Sequence, residues 1–298
     1  MKIQYYIISM FCLLLIGCNP KWDFDSELFE PQIVVEGWIE NGQFPLVCLT
    51  QTKSLNNSIG ENDLNDLAIR WAKVSVSDGT KTEILTGRIN KNYIPPFIYT
   101  GSEIRGEVGK TYTLTVEYSG RTVTAETYIP QPVNLDRIEV DKCEDSDTLF
   151  QIRGYFQDDK TAHNYYKVFT RTLPDDTRFF APFLGTFNDN IISEDMSEAS
   201  ISIYRGVHFI TTEKHTPFYK RDETVMIKFA QMSEEGFLFW SDYENEVTNK
   251  KNPIFPNSSN LRSNVKGGLG VWCGYGVSNY TVNIAEELTK NDSASKER

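Results

Sequence analysis

From residue 31 onward, apolar side chains recur at every second position, the period of strands with one buried face. Gln32-Ile33-Val34-Val35-Glu36-Gly37-Trp38-Ile39 reads as a strand, and Asn41-Gly42 is a tight-turn signal leading into a second run, Phe44 to Gln51. The clearest hairpin spans Thr111 to Thr127 and turns at Ser119-Gly120. With those two residues as the loop, Val116 faces Val123 and Leu114 faces Ala125, while the threonines gather on the other face. A one-residue slip would scramble both faces, so the register is well specified. Lys73 to Ser77 and Thr82 to Leu85 form another hairpin around Asp78-Gly79, with its loop length left open. Further strand-like runs cover Arg137 to Val140, Phe150 to Phe156, Tyr165 to Arg171, Ile201 to Thr211, Thr224 to Phe229, Gly268 to Tyr275 and Ser278 to Ile284.

Two features interrupt this rhythm. Pro130-Gln131-Pro132 cannot sit in a central strand and sets a domain boundary. Ser233 is placed to cap a helix over 233–247, with Glu234 and Glu235 in its first turn and Phe237, Trp240, Tyr243 or Glu244, and Val247 at helical spacing. That stripe is expected to pack on a sheet. The predicted fold is mainly β: an immunoglobulin-like or transthyretin-like sandwich over 31–130, then a mainly antiparallel β domain over 131–285 with one helix. A charged flexible tail over 286–298 is expected to follow.

The N-terminus carries different information. Residues 1–17 hold one charge, Lys2, an apolar core from Tyr5 to Ile16, and Leu15-Ile16-Gly17 directly before Cys18. This is the layout of a bacterial lipoprotein signal, cleaved before a cysteine that becomes acylated. The apolar run is shorter than the roughly 20 residues a transmembrane helix needs. Residues 18–30 then form a tether, and the expected attachment is to the lipid bilayer through acylated Cys18.

Composition removes several function classes. The 298-residue chain has a net charge of −11, which repels phosphate backbones, and shows no basic cluster, so nucleic acid is not expected as a partner. Cys48, Cys143 and Cys273 are widely spaced and odd in number, which favours buried thiols over a disulfide scaffold or zinc site. With His163, His208 and His215 as the only histidines and no nucleophile-elbow or HExxH pattern, no catalytic or metal residues are nominated and no cofactor is implied. The acidic pairs Asp158-Asp159, Asp175-Asp176 and Glu194-Asp195 read as solvated loops. Gly267 to Gly276 fails the GxGxxG pattern at Cys273; its glycines are expected to let a strand bend or admit an aromatic ring. Two proline-bearing aromatic loops remain, Arg178 to Phe183 and Tyr93 to Tyr99. They supply the candidate partner or ligand contacts Phe179, Phe180, Phe183, Tyr93 and Phe97, with core sealing as the alternative role.

Four segments together resemble the Bacteroidetes outer-membrane lipoprotein family known as domain of unknown function 4249. They are Ile33 to Ile39, Gly109-Lys110-Thr111-Tyr112-Thr113-Leu114, Asn164-Tyr165-Tyr166, and Asn264 to Trp272. The resemblance implies an outer-membrane location, with cell-surface exposure expected and the periplasmic face left open. It also implies a TonB-dependent transporter as partner in nutrient uptake. The expected role is ligand capture or gating for that transporter, with a small-molecule, peptide or glycan ligand. A structural or adhesive surface protein is the alternative, and a surface hydrolase using loop carboxylates a remote one.

Overall fold

The computed structural model describes residues 30–53, 65–191, 198–207, 215–249 and 261–296. The expected signal, residues 1–17, and the expected acylation site Cys18 lie outside them. Among the described residues no helix is long and apolar enough to cross a membrane.

The first half folds as eight strands: β1 (Ile33–Glu40), β2 (Leu46–Gln51), β3 (Lys73–Ser77), β4 (Thr82–Ile84), β5 (Thr86–Ile89), β6 (Phe97–Thr100), β7 (Thr111–Tyr118) and β8 (Arg121–Tyr128). The β7–β8 hairpin has the predicted register, Val116 opposite Val123 and Leu114 opposite Ala125. Its two-residue loop works because Ser119 and Gly120 both take positive φ, 49° and 74°, the twist a tight hairpin requires. The β3–β4 loop is four residues, Asp78 to Lys81. Asp78 Oδ1 accepts the backbone N–H groups of Thr80 (2.9 Å) and Lys81 (2.7 Å). These hydrogen bonds hold the Asp78 carboxyl down at about 2.

The second half contributes β9 (Arg137–Lys142), β10 (Leu149–Phe156), β11 (Tyr165–Leu173), β12 (Thr186–Asn188), β13 (Ala199–Ile203), β14 (Tyr219–Lys220) and β15 (Thr224–Met232). Helix α1 (Glu234–Asn249) follows, then β16 (Val265–Lys266), β17 (Leu269–Asn283) and helix α2 (Ile284–Lys296). The run expected over Ile201 to Thr211 is strand only in β13; residues 208–211 lie outside the described set.

Three sheets result. The largest has eight strands in the order β12-β11-β15-β17-β1-β2-β6-β5, and the five-stranded sheet runs β16-β8-β7-β3-β4. In the third, β13 and β14 pair with one edge of β10 and β9 with the other. The two strand runs expected at the C-terminal end are one 15-residue strand, β17. Its first part pairs parallel with β1, from Leu269 opposite Val34 to Tyr275 opposite Glu40. Its second part pairs antiparallel with β15, from Gly276 opposite Gln231 to Asn283 opposite Thr224. One strand therefore joins both halves of the chain into a single sheet.

Each half of that sheet backs onto its own core. Val35, Ile39, Val47 and Leu49 meet Tyr112, Leu114 and Val116 of the five-stranded sheet, and Trp272 and Val265 complete this cluster from the far end of the chain. Behind the other half, Val225, Ile227, Phe229, Tyr166 and Val168 meet Ile152, Phe156 and Ile203. Trp272 is fully buried, and its indole N–H donates to the Tyr112 carbonyl at 3.1 Å. Gly37 makes room for it: a Cβ there would lie 2.9 Å from the ring. The glycine-rich segment is the crossing from one sheet to the other, with Gly267 and Gly270 at φ of 80° and 105°.

The expected tail after 285 is instead helix α2. Asn283 Oδ1 accepts the Glu286 N–H at 3.1 Å, and Glu286 and Glu287 occupy the first turn where the helix dipole favours them. Buried Ile284 and partly buried Leu288, four residues apart, fasten it to the second core.

Candidate functional site

The face of the eight-stranded sheet opposite both cores carries the site. On β1 the alternation sends Ile33, Val35 and Ile39 into the first core, while Val34, Glu36, Trp38 and Glu40 line a cavity on the other side. Leu269, Val271 and Tyr275 of β17, Lys228 of β15 and Phe169 of β11 extend this floor. Tyr93 adds a wall from the β5–β6 loop, and the 178–184 loop between β11 and β12 adds another. Trp240, Tyr243, Glu244 and Val247 of α1 close one side. The cavity measures about 2190 Å³, against roughly 300–1,000 Å³ for small-molecule pockets. It can hold a ligand of several residues or rings.

The surrounding elements are firmly placed. Phe180 and Thr170 exchange two backbone hydrogen bonds of 2.9 Å, folding the loop back onto β11. Val207 N–H donates to the Ala181 carbonyl at 3.1 Å, and Gly206 N–H to Thr170 Oγ1 at 2.7 Å. Helix α1 starts where predicted, with Gly236 N–H reaching Ser233 Oγ at 3.4 Å. Its Phe237 and Trp240 pack against Cys273 and Tyr275, and Trp240 Nε1–H donates to the Tyr275 hydroxyl at 2.7 Å. A buried pair pins the helix to the sheet: Lys167 Nζ donates to Glu244 Oε1 at 2.5 Å and to Thr186 Oγ1 at 2.8 Å. Lys167 also lies 4.3 Å from the Trp240 ring centroid.

The electrostatics of the cavity centre on Glu36 and Arg178. Glu36 is open to the cavity space yet enclosed by protein, and this desolvation raises its carboxyl pKa against the opposing pull of Arg178. Burial likewise raises the Cys48 thiol, which sits opposite Glu36 on β2, and lifts Tyr93 to about 12. The Arg178 guanidinium lies 4.3 Å from the Phe180 centroid and 4.8 Å from the Tyr93 centroid. By contrast, Lys228 donates to both oxygens of Glu40 at 2.7 and 2.5 Å.

Of the five candidate contact residues, Phe179, Phe180, Phe183 and Tyr93 line this one cavity, so the two aromatic loops converge from opposite halves of the chain. They differ in exposure: Phe180 is 8% exposed and Phe183 41%. Phe97 lies elsewhere, packed against the first core with Tyr99 at 5.4 Å between ring centroids. No site pattern in the sequence marks Glu36, Trp38 or Lys228, although a glutamate inside an apolar strand is a signal for the first. The α1 stripe was expected to be core; Trp240 both packs on the sheet and lines the cavity.

The acidic loops have structural roles. Asp158 accepts the Tyr166 hydroxyl at 2.6 Å, Asp159 closes a turn on Thr161, and Asp176 accepts the Thr172 N–H at 2.6 Å. Glu194-Asp195 lies outside the described residues. Cys48, Cys143 and Cys273 are all free. Among the described residues, no three His, Cys, Asp or Glu side chains are grouped to hold a metal ion.

Fold and site together define a mainly β protein, with two packed sheet pairs sharing one sheet whose free face cups an aromatic cavity. The chain belongs to the family described as domain of unknown function DUF4249, which matches residues 21–281. No curated protein matches it.

Proposed function

We propose that this protein is an outer-membrane lipoprotein, anchored through acylated Cys18, that captures a ligand in its interior cavity and delivers or gates it for a TonB-dependent transporter. The observation that carries the reading is the convergence of both aromatic loops on one cavity of about 2190 Å³. A spacer or adhesin has no need of Trp38, Tyr93 and Phe179 rings facing internal space, where apolar surface costs free energy unless something covers it. A hydrolase using two carboxylates would need a pair free to act, and here Glu40 is held by Lys228 and Glu244 by Lys167.

Two measurements test the reading. Cells fed a tagged fatty acid should label the parent protein and leave Cys18→Ala unlabelled; equal labelling would refute the anchor. Pull-down from detergent-solubilised outer membranes should recover a TonB-dependent barrel, and replacing Phe179 and Phe183 with serine should weaken recovery. Recovery of the parent without any such barrel would refute the transporter role.

A further inference from the structure

The charged groups lining the cavity sort into pairs, with Arg178 and Glu36 left over. Lys228 pairs with Glu40, Glu244 with Lys167, Arg205 with Glu223, and Glu30 at the rim with Arg121. Arg178 has no carboxylate within ion-pairing distance among the described residues. Its Nε–H is buried without an acceptor, and its Nη1–H reaches only the adjoining Phe179 carbonyl, at a long 3.4 Å. A guanidinium offers five donors in a planar fork matched to a carboxylate, and Phe180 and Tyr93 stack beside this one.

We propose that the cavity's ligand is an amphipathic carboxylate, its charge seated on Arg178 and its aromatic or apolar body against Trp38, Tyr93, Phe179 and Trp240. The inference rests on the reading of the cavity as a ligand site and adds the chemical class. A half-buried cation whose Nε–H lacks an acceptor is unfavourable until an anion completes it, and the paired groups around it cancel one another. Glu36 is not ion-paired with Arg178, and the desolvation that raises its carboxyl pKa weakens its opposition to an anion there. An uncharged ligand would leave Arg178 as it is, and a cationic one would be repelled by it.

The test uses the full chain and two isosteric probes, 1-naphthylacetate and its neutral amide, 1-naphthylacetamide, followed by equilibrium dialysis or saturation-transfer NMR. The acid should bind about tenfold or more tightly than the amide, as charge-assisted hydrogen bonds to a fork require. Arg178→Met should bring the two within about twofold, chiefly by weakening the acid, and Arg178→Lys should keep part of the preference. If Arg178→Met does not fold, Arg178→Gln makes the same comparison with a planar polar group. Equal binding of acid and amide by the parent, or a preference that survives loss of the guanidinium, would overturn the inference while the cavity reading stands. Binding of neither probe would overturn both.

Discussion

Cutting the chain after Pro130 should leave an N-terminal fragment, 30–130, that does not fold cooperatively by itself. The core of that half contains Trp272, 0% exposed, and Val265, 7% exposed, both supplied from beyond the cut. Losing a buried tryptophan costs about 3–5 kcal/mol, and uncovering what a buried valine shields adds roughly 1.5–3 kcal/mol. The fragment also loses the parallel ladder of β17, seven registered pairs from Val34 to Glu40, which leaves the central strand β1 as an open edge. Against the roughly 5–15 kcal/mol that stabilises a single domain, the loss removes most or all of the margin.

Far-UV circular dichroism with thermal melting is the assay. The fragment should melt without a sigmoidal transition, and adding residues 131–298 in trans should restore one. Trp272→Ala in the full chain is the graded version: at about 2–4 °C per kcal/mol for a protein of this size, the midpoint should fall by roughly 6–20 °C. A fragment that unfolds cooperatively within a few degrees of the full chain would refute the reasoning, because β17 would then be an accessory and not a shared element.

Two further outcomes follow from the charged groups around the cavity. Burial raises the Glu36 pKa in the folded state, so its contribution to stability is complete below about pH 4.5, the ordinary glutamate value, and is lost as pH rises through the folded value. Glu36→Gln should therefore raise the unfolding midpoint at pH 8 by more than at pH 4, and a difference independent of pH would count against it. Lys167→Met strands the Glu244 carboxylate beneath α1 and should cost about 3–5 kcal/mol in denaturant unfolding, with Glu244→Gln added to it recovering much of the loss. Simple additivity of the two substitutions would show that the pair is not coupled.

What could be read from the sequence was local. The Ser119-Gly120 turn fixes the β7–β8 register with two residues, and Ser233 with Glu234 and Glu235 marks the start of α1, because caps and turns act over one turn of chain. Helix α2 reads as a tail in the sequence because its residues are polar and charged; Ile284 and Leu288, the pair that docks it, carry little weight in a composition argument. The continuity of β17 is hidden in the sequence for another reason. Gly274 and Gly276 interrupt the apolar pattern as a break would, yet a Cβ at either would collide with the backbone at Tyr128 or Pro130, so they mark a close crossing.

The site was legible only in halves. Glu36 in β1 reads as the outward face of a strand, and Arg178 reads as the polar end of an aromatic loop; each reading is correct for its own segment. A strand position facing water and one facing an internal cavity carry the same period-two signature, since the pleat fixes the side of the sheet and not what lies beyond it. What lies beyond β1 is decided by chain that follows more than a hundred residues later: the 178–184 loop folded back onto β11, and helix α1 latched by Lys167 to Glu244. The even positions of β1 become a cavity floor because the second half of the chain returns across them. The same strand that allows this, β17, places Trp272 in the first core and Tyr275 beneath the helix. Shape of the cavity and stability of the fold are therefore coupled through one element, and perturbing either end of β17 should be felt at both.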